Sequence, residues 1–590
     1  MLLTAGRLGR LNLQHRTRRS SEAKQRLAPG NLDRDAQVRR RVDIEAARAA
    51  QRAAWLRSIV LPLGLSLLCL RSIFHAGYLL QVDIVFGPRP EAVASGISAP
   101  ASALEVAAVH VLGGDIAGNV YAVGTLFLAG FAPMVLFRRA PWYAQCAAGF
   151  LGALNPFVYD RLVEGQWYVV IAAAGLFLWL AAWEALQARP GFRRAALLAV
   201  CGAAIVSFDP HSIGPLALLT FVAASWTRIW RDRVRLRWTA ASIALLALVL
   251  LPGVVSFFLA GSPGNYSTVR QFTRADFAFF RSTASPDYGL LPNLIGLYGY
   301  WGERIGRFPL ATGGAAWWPV TSALVVAAAL LGAWLRRERA WLLLCGVIGL
   351  AVSASTALPG GVDAAAWLAA QIPAVAAYRE PEKWSALWLL ALVVLSVGTV
   401  ETLARSGRNR EPAHVNLATA LAYILVVAAL VPSGISQARA LPTIVTPVVY
   451  PHYWYATAAS IRRTVPRRDP VAVLPWHLYQ PLRATEGRLT ASPARVFFPG
   501  RLITPHNLEI PGRSTEITSR YDRIGLVGSG ERNCRLASVV RRLDIHWVLV
   551  LDAAEGARTV AGLSRCGYAL LEGRPGFTAL MRVGVDRKSP

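Results

Sequence analysis

The chain has 590 residues, 54% of them hydrophobic and only 16% charged, against about 25% charged in an ordinary soluble protein. The net charge of +28 would suit nucleic acid, but the basic residues lie in a tail, in short clusters between apolar runs and in the last part of the chain. Clusters between apolar runs are what membrane topology produces, so the composition argues for a lipid bilayer and against nucleic acid as a partner.

Residues 1–57 hold 14 Lys/Arg and 5 Asp/Glu and read as a basic cytoplasmic tail, partly helical from about Arg34 to Leu56. It can rest on anionic lipid or act as a topology signal alone. The first long apolar run begins near Ile59 without a nearby small-residue cleavage site, so this is not a signal peptide. A helix needs about 20 apolar residues to cross a bilayer. Eleven spans are expected, at about 58–79, 118–137, 142–158, 168–187, 194–208, 213–230, 238–260, 316–335, 339–357, 384–404 and 415–435. The third and fifth are short and end in polar groups, Asn155 to Asp160 and Asp209 to Ser212, as helices bordering a cavity do. Arg138-Arg139 and the clusters Arg189–Arg194, Arg228–Arg237, Arg336–Arg339 and Arg405–Arg410 fall on the side of the tail. That side is expected to be cytoplasmic, and the loops at 80–117, 159–167, 209–212, 261–315 and 358–383 extracytoplasmic. The expected fold class is an all-α polytopic membrane domain over 58–435 with a C-terminal extracytoplasmic α+β domain over 436–590, in a bacterial cell (inner) membrane. Val471–Pro475, Arg495–Phe498, Trp547–Leu551 and Phe577–Val583 read as its strands. Cys534 and Cys566 fall there and are expected to form a disulfide, worth roughly 3–4 kcal/mol in the chain-entropy model; the other reading is two buried thiols.

Ionisable residues beside spans are costly and therefore candidates for function. Five groups stand out, all on the expected outer side. In Gln81-Val-Asp83, directly after the first span, one carboxylate stands among apolar residues; it can act as a general base or simply end a helix. In Asn155-Pro-Phe-Val-Tyr-Asp-Arg-Leu-Val-Glu-Gly-Gln-Trp167, Asp160, Arg161 and Glu164 share a helical face, with Gln166 beside them. Arg161 can grip a phosphate there, or the group can be a local salt-bridge network. Asp209 and His211, in Phe208-Asp-Pro-His211, can bind a metal or relay a proton, or form a tight turn. In Tyr378-Arg-Glu-Pro-Glu-Lys-Trp384, Arg379 and Lys383 beside Glu380 can neutralise a phosphate or pyrophosphate, or form a solvated charge run before a helix; positive charge on this side is not favoured by topology. The loop 261–315 mixes Arg270, Arg274, Asp276, Arg281 and Asp287 with Tyr266, Phe280, Tyr288, Tyr298, Tyr300 and Trp301. That mixture suits sugar rings, and also an interfacial helix. No Walker A, H-E-x-x-H, G-x-S-x-G or dinucleotide fingerprint occurs, so ATP hydrolysis, zinc proteolysis and serine-esterase chemistry are unsupported.

This layout resembles the GT-C superfamily of integral-membrane glycosyltransferases. The features that carry the resemblance are the cytoplasmic N-terminus, the many spans and Asp83 in the first outer loop directly after span one. Asn155-Pro-Phe-Val-Tyr-Asp-Arg161 and Arg379-Glu-Pro-Glu-Lys-Trp384 are similar to segments of bacterial envelope proteins related to arabinofuranosyl- and mannosyltransferases. The resemblance implies transfer of a sugar from a polyprenyl-phosphate donor to an envelope glycan or protein acceptor. Asp83 would be catalytic base, Arg161, Arg379 and Lys383 the donor-phosphate ligands, and Asp160, Glu164, Gln166, Glu380, Asp209 and His211 substrate-binding or orienting groups. Asp83 has no acidic neighbour nearer than Glu91, so no cofactor or metal is expected. A non-catalytic assembly protein of the envelope, or a secondary transporter, are the other classes; the spans show almost none of the mid-span charge a transporter needs.

Overall fold

The computed structural model describes residues 29–91, 96–259, 269–305, 318–409, 412–505, 519–527, 534–574 and 577–583. Ser58–Pro590 forms one compact unit and Met1–Arg57 another. The helices that position the site are α1 (Pro29–Cys69), α2 (Ala99–Leu112), α3 (Gly114–Leu136), α4 (Trp142–Ala153), α5 (Pro156–Glu164), α6 (Trp167–Ala188), α7 (Phe192–Phe208), α8 (Ile213–Thr227), α9 (Arg233–Leu259), α10 (Trp318–Leu335), α11 (Trp341–Ala354), α12 (Ser385–Asn409) and α13 (Pro412–Ala429).

Among the described residues, seven stretches are long and apolar enough to cross a membrane: Ile44–Cys69, Gly114–Leu136, Trp167–Ala188, Arg233–Leu259, Trp318–Leu335, Arg337–Ala357 and Pro381–Ser406. The chain is a multi-pass membrane protein. Of the eleven spans expected, the third is two elements: α4, with 12 residues, then α5 after a break at Leu154-Asn155. α7 and α8 have 17 and 15 residues, short of the roughly 20 that span a bilayer alone. Two further differences are local. The tail helix continues unbroken from Pro29 to Cys69, and the expected loop 80–117 contains the apolar α2.

The apolar pattern explains the packing. Pro381–Ser406 is 89% buried, so α12 is the central helix, apolar on every side. Arg233–Leu259 is only 11% buried and turns its apolar surface outward, as a lipid-facing helix does. Small residues let the backbones meet. A Cβ on Gly332 of α10 would sit 2.0 Å from the Leu395 carbonyl of α12, and one on Gly349 of α11 would sit 2.7 Å from that of Trp384. α6 and α12 both begin beside the cavity described below. Near their other ends Glu184 pairs with Arg339 at 2.7 Å, and Glu401 pairs with Arg336 at 2.7 Å and Arg405 at 2.5 Å.

Among the described residues the C-terminal part carries eight short strands, one of which pairs with a strand of the first loop. β1 (Tyr78–Leu79) pairs antiparallel with β2 (Pro447–Val448), tying the segment after α1 to the last part of the chain. Beyond it come β3 (Pro470–Leu474), β4 (Tyr479–Pro481), β5 (Leu489–Ala491), β6 (Arg501–Ile503), β7 (Trp547–Val550), β8 (Tyr568–Glu572) and β9 (Ala579–Val583). Five form a sheet in the order β6-β3-β7-β9-β8, parallel across β6, β3 and β7 and antiparallel beyond. Successive side chains of β3 alternate between two cores. Val471 and Val473 join one with Trp547 and Leu549; Ala472 and Leu474 join the other with Val548 and Val550. Both faces are covered, so these strands read as continuous apolar runs. The strand expected at Arg495–Phe498 is instead a helical turn, Ala494–Phe497; Phe497 and the following Phe498 pack against Tyr450 and Trp454. Cys534 and Cys566 are joined by a disulfide with Cα atoms 5.5 Å apart. β4 and β5 form a separate antiparallel hairpin.

Candidate active site

Local sequence rules place the first group. Asn155 caps α5, its Oδ1 accepting from the Val158 N–H, and Pro156 takes the first helical position. Gly165 ends the helix in the left-handed region at φ 88°, where a Cβ would lie 2.8 Å from that of Gln81. The short helix therefore presents Glu164 and Gln166 to the segment after α1. The Asp83 N–H donates to the Glu164 carbonyl at 2.9 Å.

Asp83 stands on the wall of a cavity of about 520 Å³. Each of its carboxylate oxygens has one donor. Gln166 Nε2 donates to Oδ2 at 2.9 Å, and the Tyr479 hydroxyl, from β4, donates to Oδ1 at 3.0 Å. Glu164, Gln166, Tyr168, His211, Arg379, Glu380 and Lys383 line the same cavity, as do Phe279, Phe280 and Trp301. The Arg379 guanidinium lies over two rings, 4.2 Å from the Phe272 centroid and 5.0 Å from that of Phe280, and 4.0 Å from Glu380. Lys383 Nζ is 3.4 Å from Glu380 and 5.9 Å from the Tyr168 ring centroid. Gln166 Nε2 also reaches Glu380 at 3.3 Å, so Glu380 links both walls.

Arg161 is placed differently from the phosphate ligand the sequence suggests. It does not line this cavity and is 1% exposed, with its guanidinium 4.1 Å from the Tyr300 ring centroid. It donates to Gln166 Oε1 at 2.5 Å and pairs with Glu382 at 3.3 Å and Glu380 at 3.8 Å. Two buried carboxylates need its charge, and it fixes the side chain that holds Asp83. Asp160 likewise points away from the cavity, toward Glu303. Asp209 accepts from the His211 and Ser212 side chains at 2.9 and 2.8 Å and so shapes the turn, while His211 lines the cavity with Lys383 Nζ 3.4 Å from its Nδ1.

In the loop that follows α9, Tyr266 lies outside the described residues. Arg274 pairs with Asp363, and Asp276 accepts from the Thr273 N–H and hydroxyl at the start of a short helix, both away from the cavity. Tyr298 and Tyr300 are buried and Trp301 reaches the cavity wall. Sequence reasoning missed Tyr479, Tyr168, Glu303 and Glu382 as parts of the constellation. Glu382 lay in a segment already singled out; Tyr479 had no local signal at all.

The chain matches no family model and no curated protein in sequence. In fold it is similar to the arabinofuranosyltransferase AftD from Mycobacteria, with a TM-score of 0.59 and 17% identity, over 91% of this chain and 40% of that one. The likeness is one of fold, carried over nearly the whole of this chain. The chain spans about two fifths of the length of AftD. The oligosaccharyltransferase of Archaeoglobus fulgidus aligns at a TM-score of 0.40 and 14% identity, over 89% of this chain and 73% of that one. ArnT from Cupriavidus metallidurans, bound to undecaprenyl phosphate, aligns at 0.34 and 11%, over 93% and 99%.

The electrostatics of the site separate its carboxylates. Burial pushes the Asp83 carboxyl above its ordinary range, with Glu380 adding to it and the Gln166 and Tyr479 hydrogen bonds working against it. Burial acts upward on Glu380 as well, but Lys383, Arg379 and Arg161 overcome it and bring its pKa to about 2. Glu380 is thus a permanent anion and Asp83 the group able to take a proton. Asp160 is driven well up, by burial first and then by Glu303. Asp209 is also buried, yet the His211 hydrogen bond and charge, Lys383 and Ser212 hold it below the usual carboxylate range.

Proposed function

We propose that this chain is a glycosyltransferase that moves a sugar from a polyprenyl-phosphate donor to a glycan or protein acceptor of the cell envelope, on the outer face of the membrane. The observation that carries the reading is one cavity lined by a doubly held carboxylate, Asp83, and by two cations, Arg379 and Lys383. The acceptor oxygen attacks the anomeric carbon, its proton passes to Asp83, and the bond from that carbon to the phosphate oxygen breaks. The leaving polyprenyl phosphate gains a negative charge, which Arg379 and Lys383 stabilise. The aromatic wall of Phe279, Phe280 and Trp301 offers faces on which sugar rings stack. The AftD-like fold supports sugar transfer.

The outer-face assignment rests on charge and chemistry. The basic clusters Arg336–Arg339 and Arg405 gather at the helix ends remote from Asp83, where the positive-inside rule puts the cytoplasm. The disulfide of the C-terminal part suits an oxidising compartment. The scheme uses side-chain cations alone, so EDTA is expected to leave the rate unchanged; activity lost on chelation and restored by a divalent ion would reassign the phosphate's partner.

The test is transfer from a labelled polyprenyl-phosphate sugar by the purified protein in lipid nanodiscs. Asp83→Asn keeps the side-chain shape and removes the base, and is expected to lower kcat at least about 10²-fold with the protein folded and inserted. Wild-type transfer by that variant would remove Asp83 from the mechanism.

A further inference from the structure

The Asp83 carboxylate is held from two directions. On one side Gln166 follows α5 and is itself locked by Arg161, which donates to its carbonyl at 2.5 Å. On the other side stands a residue 396 positions away in sequence, Tyr479. Its strand β4 pairs with β5, and the Ala491 N–H at the end of β5 donates to the carbonyls of Gln81 and Val82, at 3.3 and 3.1 Å. One hairpin therefore grips both the backbone just before Asp83 and the carboxylate itself. Leu478, Tyr479, Leu489 and Ala491 of this hairpin also form part of the cavity wall.

We propose that Tyr479 is a positioning residue for Asp83, so that the site is complete only when the β4–β5 hairpin of the C-terminal part is seated against the segment after α1. The inference rests on the reading of Asp83 as the base. With one donor on each oxygen, the carboxylate is fixed in its plane and keeps a lone pair on each oxygen for the acceptor hydroxyl. A phenol donating to a carboxylate favours its charged form, so loss of the hydroxyl should leave Asp83 protonated up to a higher pH. Loss of one donor also frees the rotamer, and geometry of this kind is worth roughly tenfold or more in rate.

The test uses Tyr479→Phe in the full-length protein in nanodiscs, with two readouts. The first is the pH midpoint of the Asp83 carboxyl infrared band, identified as the band missing from Asp83→Asn. The midpoint is expected to move to higher pH in Tyr479→Phe, a change that loosened packing alone would not produce. The second is transfer kinetics, where kcat is expected to fall about tenfold with the donor KM unchanged. An unchanged midpoint overturns the proposal. A midpoint shifted in Tyr479→Phe, together with a wild-type protein that transfers no sugar from any polyprenyl phosphate, upholds the positioning role and overturns the catalytic reading instead.

Discussion

At the scale of single residues, the site depends on charges that cannot be satisfied alone. Burial raises the Asp83 carboxyl, and a base must be ionised to act. The rate should therefore rise with pH, and its acid limb should lie above the ordinary carboxylate value of about 4. A kcat profile flat from pH 4 upward would contradict the assignment. Arg161 has a structural role with a measurable cost. Arg161→Met leaves Glu380 and Glu382 buried beside each other without their shared cation, a loss of about 3–5 kcal/mol for a broken buried pair. Thermal unfolding in detergent checks this, and replacing Glu382 by Leu in the same chain should recover part of the loss. Wild-type stability of Arg161→Met would mean the pair is not worth what its burial implies. Much of this constellation was legible in sequence, because an ionisable side chain at a span end is conspicuous among apolar neighbours. Asp83, Glu164, Glu380 and Lys383 were found on that ground. Tyr479 was not, since a tyrosine in a soluble-looking segment carries no such contrast. Arg161 was found but misplaced, because charge marks a residue as costly without saying whether a ligand or a carboxylate compensates it.

At the scale of elements, the site is built where helices stop. α5 is short because Asn155 and Pro156 start it and Gly165 ends it nine residues later, with Asp83 and Gln166 set by that stop. Gly165→Ala forces a non-glycine residue into the left-handed region at about 1–2 kcal/mol, and its Cβ meets that of Gln81 at 2.8 Å. Transfer is expected to fall roughly tenfold or more as the Asp83 segment shifts, with expression and insertion retained. Activity equal to wild type would show that this junction tolerates displacement. Most long apolar runs were placed from sequence within a few residues, but the first, expected over 58–79, ends at Cys69, because Tyr78 and Leu79 leave the helix to pair as a strand with Val448 and Pro447. The expected third span failed because hydropathy cannot distinguish one helix from two joined at Leu154-Asn155. Arg495–Phe498 failed because its buried phenylalanines look the same in a strand as in a helical turn.

At the scale of the molecule, the helix bundle and the C-terminal part meet at Asp83, and the basic clusters lie at the remote ends. A fluorophore that matures only in the cytoplasm, fused after Pro590, is expected to be dark, while an alkaline phosphatase fusion there should be active. A bright fusion would invert the topology and put the cavity on the wrong side for an envelope acceptor. The central claim is that sugar transfer from a lipid phosphate takes place in the cavity beside Asp83. The most direct measurement is a structure of the protein in nanodiscs with a non-hydrolysable polyprenyl-phosphate sugar analogue. The account predicts the phosphate in contact with Arg379 and Lys383 and the sugar in the cavity on the side of Asp83. A headgroup bound elsewhere, with this cavity empty at saturating analogue, would contradict it.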